Sequence, residues 1–311
     1  MISVLVATFN RRVLLERALN SVLGQTYRDF EIVLIDDAST DYTSCMPHYD
    51  QRIRYYRNEE NQGGKHGDRV HITRFVHELA RGDYFVYLCD DDYLIPAGLL
   101  AMQMAHMTPG TAMVIGGQMS HYPGEKWCEY FHKGIHPKER MTSDEFLESF
   151  ASDPMGCNIN TGATLYNKEM FIKSGALSNS NGSKWQCGYE MKLAPGSYGD
   201  VIYMDQPCLM VQQEASSASY THTQVGHYLD SVKSLIDAFR NPMRDFPGRN
   251  LDQIAMKAFD KLSEGYLGNA KHIAEHGSIS LCSKENIRYP VTQAEVESQQ
   301  AIFISAINNE V

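Results

Sequence analysis

Up to residue 90, continuous apolar segments alternate with segments whose apolar residues recur at helical spacing. Helical periodicity predicts one helix over 12–23 and another from Val70 to Ala80. Three segments are apolar nearly throughout, which is typical of strands buried on both faces: ISVLVATF at 2–9, EIVLID at 31–36 and DYFVYL at 83–88. IRYYR at 53–57 predicts a further, more polar strand. The order predicts an α/β fold, a mostly parallel, twisted, Rossmann-like sheet flanked by helices.

Beyond Pro96 the same alternation continues more loosely, and it ends near residue 215. Thr142 and Glu145 form a predicted capping box at the start of a helix. The remaining predicted elements are a helix to about Met107, strands at 111–117 and 200–205, a strand followed by a helix at 161–175, and helices at 185–194, 224–239 and 251–276. We therefore predict an α/β domain over 1–215 and a helical C-terminal extension over 216–311.

Polar clusters follow three of the predicted strands, at Thr8–Arg11, Asp36–Asp41 and Asp90–Asp92. In open α/β sheets, ligands bind beyond the carboxyl ends of the strands, so we expect these clusters to converge in space. Carboxylates are ligands for Mg²⁺ and Mn²⁺, and such an ion would let a diphosphate bind beside three aspartates. The structural alternative for both acidic clusters is a solvated turn, since aspartate is common in turns.

Charge and cysteine content narrow the function classes. The formal net charge of −10 argues against non-specific binding to nucleic acid. The sequence contains no apolar stretch of the ~18 residues that predict a transmembrane helix, and the N-terminus lacks the basic region of a signal peptide. Seven cysteines, without a CxxC pair, predict neither a disulfide framework nor a zinc site, and they favour a cytoplasmic location.

Four motifs occur in order: SVLVATFNR, SVLGQTYRDFEIVLIDDASTD, NQGG and ARGDYFVYLCDDDYLIPAGL. Together they resemble the family 2 glycosyltransferases, which have the GT-A fold; the resemblance is strongest over 1–110. It implies an inverting transfer of a sugar from a nucleotide sugar, most often a UDP-sugar, to an acceptor hydroxyl. The usual setting of such chains is the assembly of surface glycans or polysaccharides. The acceptor, whether glycan, lipid-linked molecule or protein, stays open.

The resemblance also implies which residues bind the nucleotide. Asp37 would accept a hydrogen bond from the base, and Arg69 would contact base or phosphates unless it is an ordinary surface residue of its helix. The full set of expected nucleotide-binding residues is Ala7, Thr8, Phe9, Arg11, Asp37, Lys65, Arg69, Asp90 and Asp91.

For the metal, Mn²⁺ or Mg²⁺, the resemblance implies Asp92 as the direct ligand. Asp90 is a second candidate ligand, although Asp90 and Asp91 are also expected to serve the ribose and a metal-bound water. The family has a histidine where this chain has Gln213, and His222 further along is a candidate replacement ligand. A lone histidine is also compatible with a structural or exposed position.

A hydroxyl nucleophile needs a general base within hydrogen-bond reach. The family places this carboxylate on a helix before a strand like DVIYMD, and Glu190 is the only carboxylate in the corresponding segment, WQCGYEMKL. We therefore predict Glu190 as the catalytic base, with Asp200 and Asp205 as weaker alternatives. Trp185 in the same segment would stack on an acceptor sugar or belong to the core.

Three roles stay open for the helices after residue 215: covering the acceptor, forming a homodimer, or lying against a membrane surface. Arg240, Arg244 and Arg249, in the loop between two of these helices, are compatible with peripheral membrane contact. Two further functions also stay open. One is a catalytically silent nucleotide- or glycan-binding module, and the other is a sugar nucleotidyltransferase, although ATFNRR lacks the glycine-rich signature expected there.

Overall fold

The structure is a computed structural model that describes most of the chain. The described residues are 1–41, 43, 50–63, 67, 69–95, 97–121, 128–131, 138–154, 161–177, 188–212, 224–239, 251–276 and 291–307.

All ten described strands belong to one sheet, whose middle contains the apolar segments seen in the sequence. Its strands are β1 (Ile2–Thr8), β2 (Phe30–Asp36), β3 (Ile53–Arg57), β4 (Tyr84–Cys89), β5 (Tyr93–Leu94), β6 (Thr111–His121), β7 (Cys128–Phe131), β8 (Arg140–Met141), β9 (Thr164–Asn167) and β10 (Asp200–Gln212). The order is β3-β2-β1-β4-β9-β6-β10-β5, with β7 beside β6 and β8 beside β10. β2 is buried along its whole length, including its two carboxylates, Glu31 and Asp36.

The first half of the sheet is parallel and the second half is mixed. β3, β2, β1 and β4 run parallel, as predicted. β9 is antiparallel to both β4 and β6, while β6 and β10 are parallel to each other. In the parallel half, Thr8 is paired with Asp36, and Ala7 is paired with Cys89. The register therefore brings the carboxyl ends of β1, β2 and β4, with all three polar clusters, to one edge.

Helices flank the sheet, which confirms the predicted α/β class. They are α1 (Arg12–Leu23), α2 (Arg69–Arg74, continued by a π-helical turn over Phe75–Leu79), α3 (Leu99–His106), α4 (Ser143–Ser152), α5 (Lys168–Lys173), α6 (Gly188–Gly196), α7 (Gln224–Phe239), α8 (Leu251–His276) and α9 (Gln293–Ile307). The predicted capping box of α4 is present: Thr142 Oγ1 accepts from the Glu145 amide, and Glu145 Oε2 accepts from the Thr142 amide.

Asparagine is a common cap residue just before a helix, but Asn10 does not cap α1. Asn10 adopts a φ of 53°, and its Oδ1 accepts the Thr40 amide at 2.7 Å, so its side chain braces the loop after β2. The carboxylate of Asp41 instead accepts the amide of Arg12 at 2.8 Å. The loop after β2 and the start of α1 are therefore held together at the edge where the polar clusters lie.

The C-terminal helices pack onto the helices that cover the sheet: α7 lies against α6, and α8 lies against α4. Tyr228, Phe259 and Phe303 are fully buried in the same hydrophobic cluster as the sheet core. The predicted division near residue 215 stays a prediction, but the two parts share a core. None of the helices in the described part of the chain has the length and apolar character that a membrane span requires.

Candidate active site

Hydrogen bonds connect the carboxyl ends of β1 and β4. The Thr8 hydroxyl donates to Asp90 Oδ2 at 2.7 Å. Arg11, just before α1, donates from Nη1 to Asp90 Oδ1 at 3.2 Å and to Asp91 Oδ2 at 2.9 Å. Two of the three polar clusters thus form one network, in which Thr8, Arg11, Asp90 and Asp91 come together as predicted.

Asp90 is electrostatically unusual because its carboxyl group is buried beside another carboxylate. Burial and the neighbouring Asp91 raise the pKa of Asp90 to about 6, against the opposing effects of the Arg11 guanidinium and the Thr8 hydroxyl. A further cationic or hydrogen-bond-donating group beside Asp90 would stabilise the charged form of its carboxyl group.

The donor set that fits a divalent ion is Cys89, Asp91 and Asp92, whose ligand atoms all lie within 4.8 Å of one another. Asp92 is buried, and its Oδ1 accepts the Gln212 amide from the end of β10 at 3.3 Å. Two carboxylates suit Mg²⁺ and Mn²⁺, and the thiol adds a softer donor. Asp90, a candidate ligand from the sequence, lies outside this group because its oxygens face Thr8 and Arg11.

Asp36, the last residue of β2, is fully buried and serves the structure of this edge. Its carboxylate accepts from the Tyr55 hydroxyl at 2.5 Å, from Arg57 Nη1 at 2.6 Å and from the Ser39 amide at 2.7 Å. These contacts tie the end of β2 to β3, and they fix the chain that leads into Asp37.

Asp37, the predicted partner of the base, holds the glycine-rich loop that follows β3. It accepts from Asn58 Nδ2 at 2.7 Å, and from the amides of Gln62 and Gly63 at 2.9 and 2.8 Å. His71 Nε2 on α2 lies 3.4 Å from Oδ2. Burial would raise the pKa of Asp37, but these hydrogen bonds outweigh it and hold the pKa below its usual value. A contact between Asp37 and a base stays a prediction.

Gly63 packs closely against Asp37 and His71. A Cβ there would lie 3.1 Å from Asp37 Oδ2 and 3.3 Å from His71 Nε2, tighter than ordinary van der Waals contact. A side chain at this position would require Asp37 or His71 to shift by a few tenths of an ångström, so Gly63 contributes to the close packing of the loop against the carboxylate.

Glu190 and Arg69, both predicted site residues, are bound to each other. Arg69 Nη2 forms a short ion pair with Glu190 Oε2, and the Leu177 amide donates to Glu190 Oε1 at 2.7 Å. Glu190 is fully buried. Arg69 Nη2 also lies 3.6 Å from Asp237 Oδ2 on α7. The base role of Glu190 stays a prediction, because both of its oxygens are engaged by the protein.

The remaining predicted residues divide into two groups. Ala7 and Phe9 lie at the end of β1, and Phe9 is 44% exposed, as a residue that borders a ligand can be. Lys65, Trp185 and His222 lie outside the described residues.

Sequence reasoning missed three residues of this site. Cys89 directly precedes the aspartates, and its position at the end of β4 was the available signal. Arg17 on α1 donates from Nη2 to the Asp91 carbonyl at 2.5 Å and stacks over the Tyr93 ring. Its place in the second turn of α1, which follows the end of β1, was only a weak signal for a site residue. No local pattern in the sequence pointed to Asp237, because its partner Arg69 is far away in the sequence.

Comparison with known proteins agrees with this geometry. The model of the Glycosyl transferase family 2 matches residues 3–174. The GalNAc(5)-diNAcBac-PP-undecaprenol beta-1,3-glucosyltransferase of Campylobacter jejuni is 33% identical over 150 residues, 47% of each chain. An uncharacterized glycosyltransferase of Haemophilus influenzae is 26% identical over 252 residues, 75% of this chain and 79% of the relative. The chain thus spans about half the length of the Campylobacter enzyme.

Solved structures show the same fold at low identity. Staphylococcus aureus TarS (residues 1–349) superposes with a TM-score of 0.64 at 14% identity, over 99% of this chain and 81% of TarS. The mannosyltransferase PcManGT of Pyrobaculum calidifontis, solved with GDP-Man and Mn²⁺, gives a TM-score of 0.56 at 15% identity, over 99% of this chain and 86% of PcManGT. The predicted GT-A fold is confirmed. Since the family model covers more than half of the 311 residues, this chain belongs to glycosyl transferase family 2.

Proposed function

We propose that this protein is a metal-dependent, inverting glycosyltransferase that moves a sugar from a nucleotide sugar to an acceptor hydroxyl. The observation that carries the proposal is the junction of β1 and β4. There Thr8 and Arg11 bind Asp90 and Asp91 beside the donor set of Cys89, Asp91 and Asp92. This junction combines donors for a ribose and phosphates with ligands for a divalent ion.

A UDP-sugar is the proposed donor. TarS has been solved with UDP-GlcNAc and with UDP, at TM-scores of 0.63 and 0.62. PcManGT was solved with GDP-Man, so the fold alone does not select the base. Phe9 and Asp37 flank the place proposed for the base, with Lys65 and Arg69 as further contacts.

Each residue has a proposed part in the transfer. The acceptor hydroxyl attacks the anomeric carbon, the bond from that carbon to the diphosphate oxygen breaks, and Glu190 takes the hydroxyl proton. For this, Glu190 must exchange its contact with Arg69 for one with the acceptor. We assign Arg11 to the diphosphate, because its guanidinium lies beside Asp90 and Asp91 and carries the positive charge that a diphosphate needs there. Asp91 and Asp92 would hold Mn²⁺ or Mg²⁺, which would stabilise the negative charge of the leaving diphosphate.

Surface-glycan assembly is the proposed setting, with a glycan or lipid-linked acceptor. The Campylobacter relative is named for an undecaprenol-linked substrate, and an Escherichia coli relative, 33% identical over 110 residues, is named for colanic acid biosynthesis. These names support the class of acceptor, while the sugar itself has to come from experiment.

The test is a donor screen. The protein is incubated with UDP-, GDP- and dTDP-sugars with Mn²⁺, with Mg²⁺ or with a chelator, and the released nucleoside diphosphate is measured. We expect release from a UDP-sugar that the chelator abolishes. Asp92→Ala should remove the metal dependence of donor binding, and unchanged metal-dependent binding would contradict the ligand assignment.

A second candidate is a binding module without turnover, and the burial of Glu190 against Arg69 favours it. The same screen separates the two. Donor binding without diphosphate release from any sugar, in the presence of candidate acceptors, would establish the binding module and contradict the enzyme.

A further inference from the structure

The thiol of Cys89 belongs to the donor set at the edge of the sheet. Cys89 is the last residue of β4, and its Sγ lies within 4.8 Å of carboxylate oxygens of both Asp91 and Asp92. Ligand atoms on one tetrahedral zinc ion are separated by roughly 3.5 Å, given Zn–S and Zn–O bonds of about 2.3 and 2.1 Å. The three atoms can therefore share one ion once they approach each other by about 1 Å, a shift that side-chain rotation can supply.

We propose that Cys89 is a direct ligand of the divalent ion and makes the site prefer thiophilic ions such as Zn²⁺, Co²⁺ and Cd²⁺ over Mg²⁺. This inference rests on the proposed function, because it assigns a ligand and an ion preference to the metal of that function. Cysteine spacing alone predicted no zinc site. The inference differs from that prediction because only one of the three ligands is a cysteine and the other two are aspartates.

The backbone fixes Cys89 at this place. β4 is paired in parallel with β1 so that Cys89 lies beside Ala7, in the middle of the predicted nucleotide site. The turn that follows is closed by a hydrogen bond from the Asp92 amide to the Cys89 carbonyl at 3.2 Å. That turn brings the Asp92 side chain back toward the cysteine.

The preference for thiophilic ions follows from the softness of the sulfur ligand. Carboxylates alone suit Mg²⁺, Ca²⁺ and Mn²⁺, whereas a thiolate selects softer ions, and Mg²⁺ rarely accepts sulfur. On coordination the thiol loses its proton to solvent and binds as thiolate. A site with two carboxylates and one thiolate therefore binds Mg²⁺ through its oxygens only, and binds Zn²⁺ or Co²⁺ through all three atoms.

Co²⁺ is the probe, because a cobalt–thiolate bond gives a near-ultraviolet charge-transfer absorption band. Wild-type protein, Cys89→Ser and Cys208→Ser are titrated with Co²⁺, and Mg²⁺ affinity is measured by competition. Cys208 is the matched control: it is fully buried, and burial raises the pKa of its thiol to about 12. Asp92→Asn, which removes a carboxylate ligand, serves as the control for loss of the whole site.

We expect the band in the wild type and in Cys208→Ser, and its loss in Cys89→Ser. Co²⁺ and Zn²⁺ affinity should fall at least about tenfold in Cys89→Ser, the lower end of what losing even an outer-shell partner costs. Mg²⁺ affinity should change little, so the ratio of the two affinities reports ligation rather than misfolding.

Three results overturn the inference. One is a band that persists in Cys89→Ser, and another is equal weakening of Mg²⁺ and Co²⁺ binding in that variant. Co²⁺ binding without any thiolate band, lost in Asp92→Asn, also contradicts the role of Cys89 while leaving the proposed function intact. Failure of the proposed function looks different: no divalent ion binds with donor present, and the donor screen shows no diphosphate release.

Discussion

Arg69 and Glu190 lie 121 positions apart in the sequence and form an ion pair that is almost completely shielded from solvent. Arg69 begins α2, two residues before His71, which contacts Asp37. Glu190 lies in the first turn of α6. The pair therefore connects the loop side of the predicted nucleotide site with the helix proposed to carry the base. Either partner alone would leave an uncompensated buried charge, which typically costs about 3–5 kcal/mol.

Glu190→Gln separates a catalytic role from a structural one. The amide oxygen can still accept from Leu177, but the side chain can no longer take a proton. If Glu190 is the base, kcat should fall by at least about 100-fold, the lower end for general base catalysis. The donor Kd, measured on the same preparation by calorimetry, should change far less.

Asp205→Asn is the matched control for that experiment, because Asp205 is an exposed carboxylate and was the weaker candidate. Its kcat should stay near the wild-type value. Glu190→Gln turnover within a few-fold of the wild type, in a folded protein, would exclude Glu190 as the base and leave it as the partner of Arg69.

Asp237 extends this pair into the C-terminal helices. Its carboxylate lies 3.6 Å from Arg69 Nη2 and comes from α7, beyond the 3–174 range of the family model. We expect Asp237→Asn to lower the free energy of unfolding by about 1–3 kcal/mol, the range for leaving a buried polar group incompletely satisfied, because Arg69 loses a charged neighbour. Urea unfolding provides the measurement. Asp230→Asn, on the same helix and partly exposed, should stay within about 0.5 kcal/mol.

A double-mutant cycle checks that Asp237 acts through Arg69. In an Arg69→Met background, Asp237→Asn should cost nothing or stabilise, because the guanidinium that balances the carboxylate is already gone. An equal cost in both backgrounds would show that Asp237 stabilises α7 independently of Arg69.

Glu31 on β2 is one source of the pH dependence of the free energy of unfolding. Burial would raise the pKa of Glu31, but hydrogen bonds from the Arg81 amide, Arg54 and Ser3 outweigh it, so the pKa lies below 4.5, its ordinary value. The folded state thus binds this proton less readily than the unfolded state. Its contribution is present above 4.5 and is lost as pH falls through the lower folded pKa.

Glu31→Gln should accordingly lower stability at neutral pH and flatten the loss of stability between neutral pH and about pH 3, as linkage requires. Urea midpoints across this range measure both effects. Glu59→Gln, an exposed carboxylate, is the control. A Glu31→Gln curve that runs parallel to the wild type down to acid pH would contradict the assignment.

Most of the fold was predictable because its elements carry strong periodicity. The helices over 12–23, 224–239 and 251–276 begin and end where the pattern indicates. The antiparallel placement of β9 was not predictable, since strand direction depends on long-range pairing rather than on the local sequence. β5 and β8, with two residues each, are too short to show a pattern.

The site, like the fold, was predictable only in its local features. The sequence located Asp90–Asp92 at a strand end, because a buried strand and a run of carboxylates are both local features. It could not assign partners, because these come from distant positions: Thr8 reaches Asp90 across 82 positions, and Arg69 reaches Glu190 across 121. For the same reason the sequence around residue 12 did not show that Asp41, from the loop after β2, accepts the Arg12 amide at the start of α1.

Asp37→Asn tests whether Asp37 acts on the nucleotide directly or through the glycine-rich loop. The carboxylate accepts hydrogen bonds from the Asn58 side chain and from the amides of Gln62 and Gly63. In Asp37→Asn, an NH₂ group would replace one of the two acceptor oxygens and face these donors. The loop should loosen, and hydrogen exchange at the amides of Gln62 and Gly63 should accelerate. Asn58→Ala removes only one of these hydrogen bonds and should produce the same change more weakly.

Nucleotide affinity then separates the two roles. If Asp37 acts through the loop, Asp37→Asn should weaken UDP and GDP by similar factors, because the loop surrounds the site whatever the base. If it binds the base directly, UDP should lose about tenfold or more, equivalent to the ~1.4 kcal/mol of one good hydrogen bond, while GDP changes little. Because the hydrogen bonds from Asn58, Gln62 and Gly63 already engage both oxygens of Asp37, we expect the first outcome, and a loss confined to UDP would contradict it.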